Sequence, residues 1–303
     1  MLSNNYEANR DEYLKRMSAS IVNSSKKEII DAIKLQHETC DSNNTFRILD
    51  VGCADGSLLN VIYCELFATK TQFVGIDVDE FFINKAKEIY GKNPIYFESV
   101  SLAKLRDRIQ CGLFPKFDVI IFSSVLHEIS SYADKDAFSS KPIIESLKLA
   151  YDCLNTGGRL IIRDGVRNSS TARCYLRFTE NNDSRYMEDF IASFKGEKGE
   201  VIRCSTSGCY KLSLGDLQEF LCTYTWGDAS WPREVEQQFG ILTQQQWFDT
   251  ITSVGFSIRQ IKTFSEDYAA FLNSKVIVTS DQNTIIPLKE ILFPIIFITA
   301  LKI

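Results

Sequence analysis

Apolar residues recur at two different spacings along the chain, and the change of spacing divides it. From residue 6 to 36, Tyr13, Met17, Ile21, Ile29, Ile30 and Ile33 return every three or four positions, which predicts one or two amphipathic helices. Ser24-Ser-Lys-Lys-Glu28 has the form of a cap between them. Beyond the polar loop Asp41-Ser-Asn-Asn-Thr45 the pattern turns to short apolar runs separated by helical stretches. The runs are Arg47–Val51, Gln72–Ile76, Ile95–Phe97, Phe117–Phe122 and Arg159–Arg163, with helices predicted over Leu58–Ala68, Glu80–Tyr90 and Ile143–Leu154. Continuous apolar strands alternating with helices imply a parallel sheet covered on both faces.

The rhythm breaks over residues 166–245. Leu214, Leu217, Phe220, Leu221 and Tyr224 share one helical face, and Tyr224, Trp226 and Trp231 form an aromatic cluster. That cluster is read as a small satellite core, with stacking on an aromatic acceptor as the alternative. Thr243–Val254 then reads as a capped helix broken by Gly255, followed by strands over Phe256–Phe264 and Ile295–Leu301. The expected division is an N-terminal helical extension (1–44), a Rossmann-like core (45–165), a helical insertion covering the substrate (166–245) and C-terminal strands completing the sheet (246–303). The apolar run from Ile291 to Leu301 falls well short of the ~20 residues that span a bilayer, so no membrane partner is expected.

Composition narrows the function classes. In 303 residues, 45% hydrophobic and 24% charged content excludes disorder as the default. The net charge is −5, and no Lys/Arg block exceeds a pair, so nothing demands a nucleic-acid partner. Nine cysteines show no regular pairing and the N-terminus lacks a secretory pattern, so free thiols in a cytoplasmic setting are expected. Cys204 and Cys209 find no second pair and the chain has only two histidines, so no metal site is expected.

The chemistry is concentrated in Asp50-Val-Gly-Cys-Ala-Asp-Gly56, between a strand and a helix. Gly52 and Gly56 permit a tight turn that backbone and ligand can share, with Cys53 and Asp55 as turn residues. Asp77 ends the next strand, 25 residues after Gly52. In a doubly wound sheet these strand ends flank the ligand crevice, where an acid can accept from both ribose hydroxyls. A dinucleotide fingerprint needs glycines two apart. Here they are four apart and preceded by Asp50, which repels a pyrophosphate and suits an ammonium group. A nucleoside with an amino-acid tail therefore fits better than NAD.

Asp50-x-Gly52-x-x-x-Gly56 with Gly75-Ile-Asp77 resembles the first two motifs of the class I S-adenosylmethionine-dependent methyltransferases. Phe117–His127, Leu154–Ile162 and Leu242-Thr-x-x-x-Trp-Phe with Gly255-Phe256 are similar to later parts of the same superfamily. The resemblance implies a Rossmann-like, doubly wound, mostly parallel seven-stranded sheet whose last strand is antiparallel, and S-adenosyl-L-methionine as cofactor. It implies that Asp50, Gly52 and Gly56 line the methionine part, that Asp77 holds the ribose with Val78 on the adenine, and that Ser123 and Ser124 pass near the sulfonium. An Asp that often contacts the adenine is missing: Glu98-Ser-Val-Ser101 stands there, leaving Ser99 or Ser101 as candidates.

His127, just past the fourth strand, is the candidate general base, since imidazole titrates near neutrality. The alternative is a packed histidine at a helix start. Glu128 is expected to face elsewhere, and Arg163 with Asp164 to form a structural charge pair. Tyr13 or Met17 could touch the cofactor, though packing on the sheet edge is the simpler role. The expected activity is methyl transfer to an O or N atom of a small-molecule acceptor. Two rivals stay open: a nucleic-acid acceptor met by Arg163, Arg167, Arg173, Arg177 and Arg185, or a catalytically silent cofactor-binding module. The acceptor itself and the oligomeric state are not encoded in any motif.

Overall fold

A computed structural model describes residues 24–40, 44–66, 70–180, 183–206, 208–265, 271–280 and 284–303. Tyr13, Met17 and Ile21 lie outside the described residues. Helix α1 (Ser24–Glu38) opens with the Ser24–Glu28 segment and packs on the sheet through Ile29 and Ile33. The core then alternates β1 (Phe46–Val51), α2 (Ser57–Leu66), β2 (Thr71–Asp77), α3 (Glu80–Tyr90), β3 (Ile95–Ser99), α4 (Leu102–Gln110) and β4 (Phe117–Ser123). After α5 (Leu126–Ser131) and α6 (Ser140–Cys153), β5 runs from Leu154 to Gly165.

The seven-stranded sheet has the order β3-β2-β1-β4-β5-β11-β9, with β11 at Ile295–Lys302 and β9 at Phe256–Phe264. The first five strands pair in parallel, and β11 inserts antiparallel between β5 and β9. Chain order reverses at β1, whose neighbours are β2 and β4, and the carboxyl ends flanking such a switch point are where doubly wound sheets take their ligands. Ile48, Leu49, Ile120, Ile121, Phe122 and Ile161 have no exposed surface, as strands covered on both faces require. Each such side chain contributes about 1.5–3 kcal/mol of burial. Before β9, α10 (Gln244–Val254) begins with a reciprocal Thr243–Gln246 capping box, and Gly255 ends it at φ +105°.

The insertion departs from the helical expectation. It contains β6 (Arg173–Phe178), α7 (Ser184–Ser193), β7 (Ile202–Arg203), β8 (Cys209–Ser213), α8 (Leu214–Tyr224) and α9 (Gly227–Glu234). Its strands form a second, antiparallel sheet ordered β10-β6-β8-β7. β10 (Val276–Thr279) comes from the C-terminal stretch expected to complete the large sheet. The physical reason is a core of its own. Leu176, Met187, Phe190, Leu212, Phe220, Leu221, Trp231 and Val276 bury against one another, and the short helix α11 (Leu288–Ile291) adds Leu288. Helices alone would leave the alternate apolar positions of β6 and β8 uncovered.

Candidate active site

The turn after β1 is held by backbone. Gly52 N and Cys53 N both donate to Ile76 O, at 2.8 and 3.0 Å, so the turn folds onto the end of β2. Gly52 adopts φ +71°, and a Cβ there would lie 2.5 Å from Val125 Cγ2. Gly56 adopts φ +76° and a Cβ would meet the Phe97 ring at the same distance. Both positions therefore exclude a side chain by conformation and by space. Asp55 Oδ1 accepts from Ser57 N, a turn and helix-entry role.

Two carboxylates meet here. Asp50 is 2% exposed, and its Oδ1 has no hydrogen-bond partner. Burial, then the charge of Asp77, pushes its carboxyl up to about 8, against the pull of Lys26. Asp77 receives Ala54 N on Oδ2 at 3.1 Å and Asp79 N on Oδ1 at 2.9 Å. Burial raises its carboxyl despite these two bonds. The two backbone donors fix the carboxylate while a carboxylate's remaining lone pairs stay available to a ligand. An orphaned buried acceptor beside a second acid fits a ligand that brings an ammonium group and hydroxyl donors, as S-adenosylmethionine does.

The remaining cofactor candidates divide. Val78 is 76% exposed beside Asp77, available to a flat ring. Ser99 Oγ approaches Val78 O at 3.5 Å. Ser101 instead caps α4 by accepting from Lys104 N, so its hydroxyl is in use. Ser123 ends β4. Ser124 follows at φ +58°, donates its N–H to Arg163 O at 2.7 Å, and receives Arg163 Nη1 on its hydroxyl.

Arg163 and Asp164 do not bond one another, because successive strand residues point to opposite faces. Arg163 donates Nε to Ser25 Oγ at 2.8 Å, tying α1 to the sheet. Asp164, fully buried, turns the other way. Its Oδ2 accepts Leu126 N at 2.7 Å, and its Oδ1 meets His127 Nδ1 at 2.5 Å and Gly165 N at 2.7 Å. His127 is 5% exposed and stacks on Phe239, with ring centroids 5.1 Å apart. Burial works against its imidazolium, but the charge and hydrogen bond of Asp164, followed by Glu128 and Glu234, outweigh it and raise the imidazole.

Glu128 takes a different partner from its neighbour His127. It accepts Arg233 Nη2 at 3.0 Å and its charge reaches Asp77 and His127. The short helix α5 lies between the crevice and the insertion, so both neighbours meet functional groups. Gln238 N donates to Ser131 Oγ, which donates to His127 O, so the 235–240 loop seals α5 from above. Trp231 belongs to the insertion's core, as read. Trp226 leaves that core and packs with Phe81 against Ala54 and Phe82, at the glycine turn. Lys26, Arg233 and Trp226 approach these candidate residues, and no local pattern announced them.

Of the arginines proposed to meet phosphate, Arg167, Arg173 and Arg185 pair with Glu197, Glu200 and Asp228. A cavity of about 380 Å³ is lined by Gln238, Glu219, Arg167, Arg173 and Asp216 among others. Its two arginines are those already paired. Among the described residues, no group of His, Cys, Asp and Glu could hold a metal, and no helix is long and apolar enough to cross a membrane.

The profile of a methyltransferase domain matches residues 42–220, more than half of the chain. Among solved structures, the CurJ carbon methyltransferase is 14% identical with a TM-score of 0.52, over 95% of this chain and 58% of that one. An S-adenosylmethionine-dependent methyltransferase from Mesorhizobium loti is 13% identical, TM-score 0.47, over 88% of this chain and 96% of that one. The magnesium protoporphyrin IX methyltransferase of Synechocystis PCC 6803, solved with bound SAH, is 11% identical, TM-score 0.47, over 92% and 84%. No curated protein matches the sequence.

Proposed function

Because the chain belongs to the methyltransferase-domain family, we propose that it passes a methyl group from S-adenosylmethionine to an oxygen or nitrogen of a small molecule. The cofactor, when bound, supplies an activated methyl on a cationic sulfur. Asp50 takes the ammonium end and Asp77 the ribose, with Val78 against the adenine and Gly52, Gly56, Ser123 and Ser124 along the path between. Arg163 ties α1 to this frame through Ser25, and the charge of Lys26 acts on Asp50.

The observation that carries the acceptor reading is the His127–Asp164 pair. Asp164 holds Nδ1, which leaves Nε2 as the basic nitrogen, and among the described residues Nε2 makes no hydrogen bond. An imidazole raised from its ordinary value, shielded from water by Phe239, suits removal of a proton from a hydroxyl or amine. The protein's other work is alignment and exclusion of water, which the insertion serves by covering α5. The pairing of Arg167, Arg173 and Arg185 with carboxylates weighs against a polyphosphate acceptor. A cytoplasmic setting belongs to the same proposal, since the exposed thiols of Cys64 and Cys111 persist in a reducing medium.

The test is release of SAH across a panel of hydroxyl and amine acceptors, repeated with His127→Ala. The expected loss in kcat is about 10²–10⁴-fold with SAH affinity unchanged. An unaltered kcat at saturating acceptor removes His127 from the reaction.

A further inference from the structure

Glu234 and Gln237 are buried, at 0% and 1% exposure, and each leaves its Oε1 without a hydrogen-bond partner. Both groups lie at the end of α9 and the start of the loop that seals His127. Resting on the reading that the acceptor sits beside His127, we infer that Glu234 and Gln237 form a recognition site for a protonated amine on the small-molecule substrate.

The chemistry of the orphans sets the ligand class. Gln237 Nε2 donates to Glu234 Oε2, which fixes the amide with its oxygen turned elsewhere. With Glu234 ionised, flipping the amide would set two oxygens against each other. In that form the pair leaves two acceptors unanswered, and only a donor satisfies both. Buried acceptors without partners are rare in a folded protein, and two within four residues call for a donor that the described residues do not supply.

The surrounding charge selects a cation among donors. Asp164 bonds His127, and the charges of Glu128, Glu219 and Glu234 are coupled to the same imidazole. Glu219 is already satisfied by Phe239 N and Gly240 N, at 2.6 and 2.9 Å. Glu128 is met by Arg233 and Asp164 by His127. The Glu234 carboxyl, among the described residues, leaves a buried oxygen over. Burial pushes it up to about 7, in spite of Arg233, which a bound ammonium would reverse. A carboxylate or phosphate brought to the same place would set its charge against the free Glu234 oxygen and could satisfy neither acceptor.

The test uses the full chain saturated with SAH. 2-Phenylethylamine and hexylamine are titrated by calorimetry beside the alcohols and carboxylates of matching size. The amines are expected to bind at least tenfold more tightly than their alcohols, and the carboxylates not at all. Glu234→Gln is expected to erase that preference while raising the melting temperature of the ligand-free protein, because it neutralises an unsatisfied buried acid. A residue that only supports the fold would lower the melting temperature and leave the preference alone. Gln237→Leu, which removes the second orphan, is expected to weaken amine binding with SAH affinity intact. Alcohols bound as tightly as amines and methylated in a His127-dependent way would overturn this inference and leave the proposed function standing. Binding of SAH with no small molecule bound would overturn both.

Discussion

Asp164 grips His127 through the ring nitrogen Nδ1 at 2.5 Å and also accepts the backbone N–H of Leu126, which starts the same helix. One carboxylate at the end of β5 thus fixes both the tautomer of the imidazole and the origin of the helix that carries it. The sheet, rather than the loop, sets where the base stands.

Asp164→Asn replaces one acceptor oxygen by a donor, which must then face the Leu126 N–H, the Gly165 N–H or the imidazole. A loss of roughly 3 kcal/mol in stability is expected from breaking a buried charged network. The kcat is expected to fall about 10²–10⁴-fold. Asp164 raises the imidazole, so the acid limb of the kcat–pH profile moves to lower pH in the variant. An acid limb at the wild-type position shows that the limb does not report His127.

Asp50 gives the cofactor site a pH dependence. Its carboxyl, at about 8 in the free protein, holds a proton at neutrality that an arriving ammonium must displace. The ionised form binds, so SAH affinity is expected to rise with pH, approaching tenfold per unit, and to level above about pH 8. In the unfolded chain the same group ionises near 3.9. Its stabilisation of the cofactor-free fold is therefore full below about pH 4 and is lost as pH climbs through 8. Asp50→Asn is expected to flatten both dependences in titrations and melts from pH 5 to 9. An unchanged slope in the variant assigns the dependence to another group.

Trp226 stands on Ala54 and Phe82, and Trp231 in the insertion's own core. SAH binding is therefore expected to change tryptophan fluorescence mainly through Trp226. Trp226→Phe is expected to lose most of that signal and to weaken SAH binding by about threefold to tenfold, consistent with loss of an aromatic contact. Trp231→Phe is expected to retain the signal. Equal signals in the two variants contradict a contact between insertion and cofactor turn.

The sheet was legible because each strand is a separate apolar run and each turn carries its own punctuation. Gly255 and the Thr243 cap show this most plainly, since both act within a few residues. The second sheet was partly visible in the alternation of Arg173-Cys174-Tyr175-Leu176-Arg177, which is the mark of a half-covered strand. Its partner β10 joins from about a hundred residues away, and no local period reports such a pairing. Charge partners behave likewise. Asp50 and Asp77 end their own strands, but Lys26, Arg233 and Asp164 reach their partners across the fold. The divergence of His127 and Glu128 follows from the helical period, but the identity of Glu128's partner, Arg233 of α9, does not.

The account rests on Asp50 and Asp77 together holding one ligand at the carboxyl ends of β1 and β2. Calorimetric titration of SAH into wild type, Asp50→Asn and Asp77→Ala at pH 8 addresses this directly. Each variant is expected to melt within a few degrees of wild type and to bind SAH at least tenfold more weakly, about 1.4 kcal/mol or more. Wild-type affinity in either variant would place the cofactor elsewhere and contradict the account.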